Sequence, residues 1–186
     1  MKVAFTGSSS TGKTTLVNAL LAEPDWPEEL RQFVTVDARK LLVARGYHSM
    51  DDMTPNQTRE FQRAYFAQKL ENERNVNSFL TDRSYVDVAA YWVVRDTAGL
   101  NSEIQNELTI PCQHEVKKYD LHVYFPFGLV PFASDGYRST DIRFHSVIDE
   151  KIRAYLDDWK VEFRSLNTMV LSERVALVKD WVREIW

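Results

Sequence analysis

One cysteine, Cys112, is all this chain of 186 residues carries. An internal disulfide is therefore ruled out, and no Cys/His cluster has the spacing of a zinc site. Glycine is scarce, at 6 residues, so flexible linkers and collagen-like or low-complexity stretches are excluded. No long hydrophobic run exists either. The longest uncharged apolar stretch, LHVYFPFGLVPFA, is broken by two prolines and is too short to span a bilayer as a helix. The first residues, MKVAFTGSSSTGK, lack the pattern of a secretory signal. Basic charge is not in excess: 27 acidic residues against 23 basic give a net charge of −4, which argues against loose electrostatic coating of nucleic acid. These absences leave one globular domain over residues 1–186, expected to be cytoplasmic, with no membrane partner.

What is present alternates short apolar runs with amphipathic stretches, without an internal repeat. Lys2 to Thr6 (KVAFT) reads as a strand. Lys13 to Ala22 reads as a helix with the i,i+4 pairs Leu16/Leu20 and Val17/Leu21, ended by Pro24 and Pro27. Phe33 to Val36 (FVTV) is a second strand, and Ala38 to Arg45 a helix closed by Gly46. His48 to Asn56 forms a polar loop before a helical pattern from Gln57 to about Asn75. Ser78 to Thr81 is a third strand, followed by a helical stripe of Val86, Ala89, Ala90, Val93 and Val94. Leu121 to Phe125 is a fourth strand. Ile148, Ile152, Tyr155, Leu156 and Trp159 mark another helix. Phe163 to Leu166 or Met169 to Leu171 supplies a fifth strand, before a closing helix with Val178, Trp181, Val182 and Ile185 on its face. Such alternation implies an α/β domain with a parallel sheet covered by helices on both faces.

Between the first strand and first helix stands Gly7-Ser8-Ser9-Ser10-Thr11-Gly12-Lys13-Thr14, a full match to GxxxxGK[ST] in the strand–loop–helix context this motif requires. Gly7 and Gly12 let the backbone curl so that successive N–H groups point at phosphate oxygens. The helix beginning near Lys13 adds its positive end. The Lys13 ammonium is placed for the outer phosphates and the Thr14 hydroxyl for Mg2+. A nucleoside triphosphate is the expected ligand.

Ligands of parallel sheets bind outside the carboxyl ends of the strands, where three further features fall. Asp82-Arg83 follows the third strand. Asp82 suits a magnesium ion, and Arg83 offers a planar fork for a phosphate or carboxylate of the acceptor. The alternative is a helix cap by Asp82 or Ser84. Asp37, after the second strand, could take the proton of an attacking hydroxyl or cap the helix from Ala38. Asp87, one turn beyond Arg83, could pair with it. Arg138 and Arg143 lie in or beside the Pro- and Gly-containing connection after the fourth strand, suited to a lid over about 126–147 that stabilises transferring charge and excludes water. On the helix from Gln57, the residues Gln62, Tyr65 and Phe66, with Arg59, Arg63 and Arg74, suit base and phosphate recognition or simply a half-buried helix. His48, His114, His122 and His145 are scattered, with no ligand spacing.

The set GSSSTGKTT, VDAR, TDRSYVDVAAYW and DGYR, in this order, resembles the P-loop nucleoside and nucleotide kinases. The similarity is closest to the small AAA-type ATPase family that includes ribosylnicotinamide kinase domains and many phage-encoded kinases. The resemblance covers nearly the whole chain. It implies a three-layer P-loop NTPase fold, with a five-stranded parallel sheet of order 2-3-1-4-5 and a lid after the fourth strand. It implies ATP and Mg2+, held by Gly7 through Thr15 (Ser8, Ser9, Ser10, Thr11, Gly12, Lys13, Thr14 and Thr15). The family's acidic residue falls on Asp37, where many relatives have Glu, and its paired arginine on Arg39. Its Asp-Arg motif falls on Asp82 and Arg83, its lid arginines on Arg138 and Arg143, and its adenine-side segment around Asn167 to Arg174.

The leading expectation is an ATP-dependent kinase that phosphorylates a nucleoside or nucleoside monophosphate. Lys13 and Arg138 would stabilise the transferring group, Thr14 and Asp82 would hold Mg2+, Asp37 would activate the acceptor, and Arg83 with Arg39 would orient it. A homodimer is compatible with this. Two readings compete: a kinase acting on a hydroxyl of DNA or RNA, with Arg59, Arg63 and Arg74 on the backbone, and an NTP-hydrolysing switch.

Overall fold

A computed structural model describes residues 1–50, 53–96, 102–132 and 141–185. The sheet has four parallel strands: β1 (Lys2–Thr6), β2 (Phe79–Asp82), β3 (Leu121–Tyr124) and β4 (Arg164–Ser165), in the order β2-β1-β3-β4. β1 is central, with Val3 opposite Leu80 on one side and Leu121 on the other. Its alternating side chains serve two cores, as the period of two demands. Val3 and Phe5 pack with Leu16, Leu20, Val123, Leu166, Val178 and Val182. Ala4 faces the opposite layer, with Phe79, Tyr85, Ala89, Tyr124, Ile148 and Ile152.

The helices follow from these faces. α1 (Lys13–Ala22) and α7 (Leu171–Ile185) bury their stripes on the Phe5 side. α3 (Pro55–Glu73), α4 (Tyr85–Arg95) and α6 (Ile142–Asp158) cover the other, joined by the short α2 (Ala38–Ala44) and by α5 (Ser102–Glu115). α3 starts two residues before the pattern predicts. Thr54 forms a capping box there with Gln57, and Pro55 occupies the first turn, where its missing N–H costs nothing. α5 has no counterpart in the sequence reading, because Pro111 interrupts its pattern.

The predicted five strands become four. Phe33 to Val36 contributes only an isolated bridge, Phe33 to Leu80, with Val34 N–H donating to Leu80 O at 2.8 Å and Leu80 N–H to Gln32 O at 2.9 Å. The pairing stops there because Asn72 Nδ2 donates to the Thr35 carbonyl at 2.9 Å, and the chain turns into α2 at Asp37. The segment still flanks β2, where the order 2-3-1-4-5 puts its second strand. At the other edge β4 comes from Phe163 to Leu166, and Leu166 N–H donates to Tyr124 O at 2.9 Å. Met169 to Leu171 instead leads into α7. No described helix is long and apolar enough to cross a membrane.

Candidate functional site

The loop between β1 and α1 is shaped by contacts that glycine alone admits. A Cβ on Gly7 would stand 2.6 Å from the Phe125 carbonyl oxygen, and Gly12 sits at φ 87°. Lys13 folds back over the loop. Its ammonium donates to Gly7 O at 2.8 Å, Ser8 O at 2.7 Å and Thr11 Oγ1 at 3.1 Å. Burial lowers its pKa below the usual lysine value, with Asp82 and Asp87 opposing.

α2, α3, α4 and α6 each begin on a capping side chain, namely Asp37, Thr54, Ser84 and Asp141. α1 begins at Gly12 with no side-chain cap. Its first amides are thus left for an anion, whereas in those four helices the cap takes at least one first-turn amide.

Two cavities open at the carboxyl ends of the strands. One, about 370 Å³, is lined by Ser9 through Thr15, Asp82, Arg83, Val130, Pro131, Met169, Leu171 and Arg174. The other, about 480 Å³, runs between α2, α3 and α4 and is lined by Asp37, Arg39, Phe61, Gln62, Tyr65, Tyr91, Arg95 and His145 among others. Ser9, Thr14, Asp82 and Arg83 belong to both. These four residues form a wall common to the two cavities.

On it, Thr14 Oγ1 donates to Asp82 Oδ2 at 3.2 Å. Asp82 Oδ1 is buried with no hydrogen-bond partner among the described residues. A hydroxyl beside a carboxylate with one oxygen uncommitted fits Mg2+, which takes one or two protein oxygens and completes its shell with phosphate and water. Among the described residues no group of three or more His, Cys, Asp or Glu could hold a metal by itself.

Arg83 is held at φ 73°, unusual for a residue with a side chain, by its N–H bond to Phe5 O at 2.9 Å. This turn aims the guanidinium over the Tyr91 ring at 4.4 Å, with Nη2 donating to Ser9 Oγ at 3.2 Å. Ser9 Oγ is in turn 3.0 Å from the Tyr91 hydroxyl. Burial opposes the charge on Arg83, yet Tyr91, Tyr65, Asp82 and Asp87 outweigh it and raise its pKa. Burial would also raise Tyr91, but Arg83, the Ser9 hydrogen bond, Lys13 and Arg95 bring it below the usual phenol value.

The sequence-predicted residues divide accordingly. Gly7 through Thr15, Asp82 and Arg83 converge on the loop. Asp37, Arg39, Gln62 and Tyr65 line the larger cavity. Asp37 Oδ1 caps α2, accepting from the amides of Arg39 at 3.1 Å and Lys40 at 3.0 Å. Phe66 does not join them, because it packs edge-on against Tyr85 in the core at 5.8 Å. Asp87 does not form the expected pair with Arg83. Its oxygens accept from Gly7 N–H at 2.9 Å and Ser84 N–H at 2.8 Å, fixing the loop to α4. Arg143 is exposed in the first turn of α6 and lines neither cavity. Arg138 and residues 133–140 of the expected lid lie outside the described residues.

Sequence reasoning missed Tyr91 and Arg95, and it reached Arg174 only as the end of the adenine-side segment, with no role of its own. For the first two a signal existed. Val88, Tyr91 and Arg95 recur at helical spacing after Asp82-Arg83, so they share the face that Arg83 opens. The purely apolar stripe on the same helix drew the assignment instead.

A model of the AAA domain family matches residues 2–174. No curated protein sequence matches the chain. Among solved structures, NadR in complex with NAD and AMP-PNP aligns over 97% of this chain at 17% identity and TM-score 0.62, although the chain spans only 49% of that NadR chain. Deoxyadenosine kinase from M. mycoides with bound dATP aligns over 98% of this chain and 100% of its own, at 11% identity and TM-score 0.68. Thymidylate kinase from Ehrlichia chaffeensis covers 98% of both chains, at 13% identity and TM-score 0.63. At such identities the likeness is one of fold.

Proposed function

The chain belongs to the AAA domain family, and from its two joined cavities we propose that it is an ATP-dependent phosphotransferase acting on a nucleoside monophosphate or nucleoside, the monophosphate first. One observation carries this reading. Ser9, Thr14, Asp82 and Arg83 line both cavities, so a donor triphosphate on the loop and an acceptor between α2, α3 and α4 would face each other across them. The 480 Å³ volume suits a nucleotide-sized ligand.

The roles follow from chemistry. Lys13 and the uncapped α1 amides stabilise charge on the donor phosphates. Thr14 and Asp82 would hold Mg2+, which when bound neutralises the phosphoryl oxygens. Arg83 is engaged by Ser9 and Tyr91 rather than paired with a carboxylate, which leaves its fork for the acceptor. Phe61, Tyr65 and Leu42 give an apolar wall for a base.

The monophosphate takes precedence because of the cation fixed at the junction of the two cavities. A neutral hydroxyl needs a base, whereas a phosphate with a second pKa of about 6 is already ionised at neutral pH and needs a cation. Asp37 caps α2 through Oδ1, Asp82 accepts from Thr14 through Oδ2 and keeps Oδ1 for the metal, and Asp87 holds Gly7 and Ser84. The fixed cation, Arg83, is what stands at the junction. A polymer acceptor is disfavoured, since Arg59 pairs with Asp96, Arg63 with Glu107 and Arg74 with Glu71.

The test is an acceptor screen with ATP and Mg2+, offering nucleoside monophosphates, nucleosides, ribosylnicotinamide and plain or base-modified DNA, with product mass identifying the site. Diphosphate products support the reading. Turnover of DNA alone, or ATP hydrolysis indifferent to every acceptor, overturns it.

A further inference from the structure

Arg174, on the first turns of α7, is 3% exposed, yet it forms no ion pair with a carboxylate among the described residues. A guanidinium removed from water without a counter-charge is costly, and such a group is retained where its field or its hydrogen bonds serve something else. Its bonds are specific. Nε donates to Thr168 O at 2.6 Å, Nη1 donates to Thr11 O at 3.1 Å, and the plane lies over the Phe125 ring at 5.7 Å.

The bond to Thr11 has a geometric consequence. A peptide unit is planar and trans, so the Thr11 carbonyl and the Gly12 N–H point in opposite directions. By holding that carbonyl on the α7 side, Arg174 fixes which way the Gly12 N–H of the same peptide points. Contact is close enough that a Cβ on Gly12 would stand 2.8 Å from Arg174 Nη1. Gly12 is therefore small for the arginine as well as for its φ of 87°. Arg174 also lines the 370 Å³ cavity, which puts its charge beside the phosphates as well as behind the loop.

We propose that Arg174 is a positioning residue of the donor site: it fixes the Thr11–Gly12 peptide for phosphate binding and supplies the loop with a cation from α7, more than 160 residues away in sequence. This rests on the reading of the loop as a triphosphate site. In the nucleotide-bound protein the triphosphate gives Arg174 the counter-charge that the polypeptide does not, so donor binding and the docking of α7 reinforce each other.

The experiment compares wild type, Arg174→Met and Arg174→Lys by calorimetric titration with ATP–Mg2+, ADP–Mg2+ and AMP, alongside thermal melts with and without ATP–Mg2+. Arg174→Met is expected to weaken ATP about 10- to 100-fold, as for loss of a charged hydrogen-bonding group, and to leave AMP within about threefold. The thermal shift given by ATP–Mg2+ should shrink with it. Arg174→Lys keeps the charge but not the two-ended fork, so it should retain part of the ATP affinity and serves if the Met variant does not fold. ATP affinity equal to wild type in whichever variant folds, or an equal loss for ATP and AMP, overturns the proposal. A wild type that binds no triphosphate overturns instead the reading on which it rests.

Discussion

The Ser9 hydroxyl stands 3.0 Å from the hydroxyl of Tyr91, a hydrogen bond that joins the phosphate loop directly to the wall of the 480 Å³ cavity. Arg83 closes the triangle, 3.2 Å from Ser9 Oγ and stacked on the Tyr91 ring. A ligand that displaces Arg83 is thereby felt at Ser9. Tyr91→Phe keeps the stacked ring and deletes the bond. It should lower kcat about three- to tenfold with each ligand's separate Kd nearly unchanged, because one neutral hydrogen bond is worth about 1 kcal/mol. Tyr91→Leu removes the stack as well and should also raise the acceptor KM. Equal kinetics for Phe and wild type would remove Tyr91 from the coupling.

Lys13→Ala removes the ammonium now held by Gly7 O, Ser8 O and Thr11 Oγ1. If that charge stabilises the transferring phosphoryl, the rate of acceptor phosphorylation should fall ~100-fold or more, a loss of about 3 kcal/mol or more. Folding should survive, since a buried cation is replaced by a small apolar group rather than left unpaired. Circular dichroism melts of the variant separate the two effects, and undiminished turnover would refute the role.

Asp82 and Thr14 give the metal prediction. Asp82→Asn keeps shape and removes charge, so the Mg2+ concentration for half-maximal activity should rise about tenfold or more, while ATP binding measured without metal changes little. Chelation with EDTA should abolish turnover in wild type. Metal-independent activity would show that the uncommitted Asp82 Oδ1 serves another purpose.

How much of this could be read in the sequence varies by the range of the interaction. The phosphate loop was fully legible, because its glycines, lysine and threonine are consecutive and their spacing is dictated by one anion. Asp82 and Arg83 were legible because a strand end in a parallel sheet has one destination. Phe33 to Val36 has the β-branched and aromatic composition of a strand, but whether it pairs along its length depends on Asn72 taking the Thr35 carbonyl, a contact 37 residues away. Phe66 had the chemistry of a stacking residue. Helix phase put its ring on Tyr85 instead, and only the packing of α3 on α4 settles that phase. Arg174 was legible only as the edge of the adenine-side segment, and its bond to the loop was hidden for the same reason, since that bond ends on a carbonyl 163 residues earlier.

Two glycines with positive φ offer a contrast in stability. At Gly7 a Cβ would meet Phe125 O at 2.6 Å and Phe125 Cβ at 3.0 Å, whereas at Gly128, with φ 84°, nothing lies within 4 Å. Gly128→Ala should cost only the left-handed backbone penalty, about 1–2 kcal/mol. Gly7→Ala adds overpacking against backbone and should cost a further ~1–3 kcal/mol, with weaker ATP binding as the loop is pushed out. Urea titrations of both variants measure the difference. Equal destabilisation would mean that the Phe125 contact yields easily.

His122, on β3, gives the pH prediction. It is 3% exposed, packs edge-on against Tyr119 at 5.3 Å, and its Nε2 lies 3.4 Å from Val116 O. Burial lowers its pKa to about 4, with the Val116 carbonyl opposing. The unfolded chain binds a proton on this ring near pH 6.5, the folded chain only near 4. Between those values the unfolded state holds more protons, so the stability supplied by His122 is complete above pH 6.5 and falls as the pH drops toward 4. The full difference is about 3 kcal/mol, from about 2.5 pKa units at 1.36 kcal/mol each. His122→Phe replaces the ring with one that cannot titrate, so the loss of stability between pH 7 and pH 4.5 should be about 2–3 kcal/mol smaller than in wild type. Urea melts at both pH values test this, and the comparison cancels the carboxylates that titrate in both proteins. The same pH dependence in wild type and variant would place the acid sensitivity elsewhere.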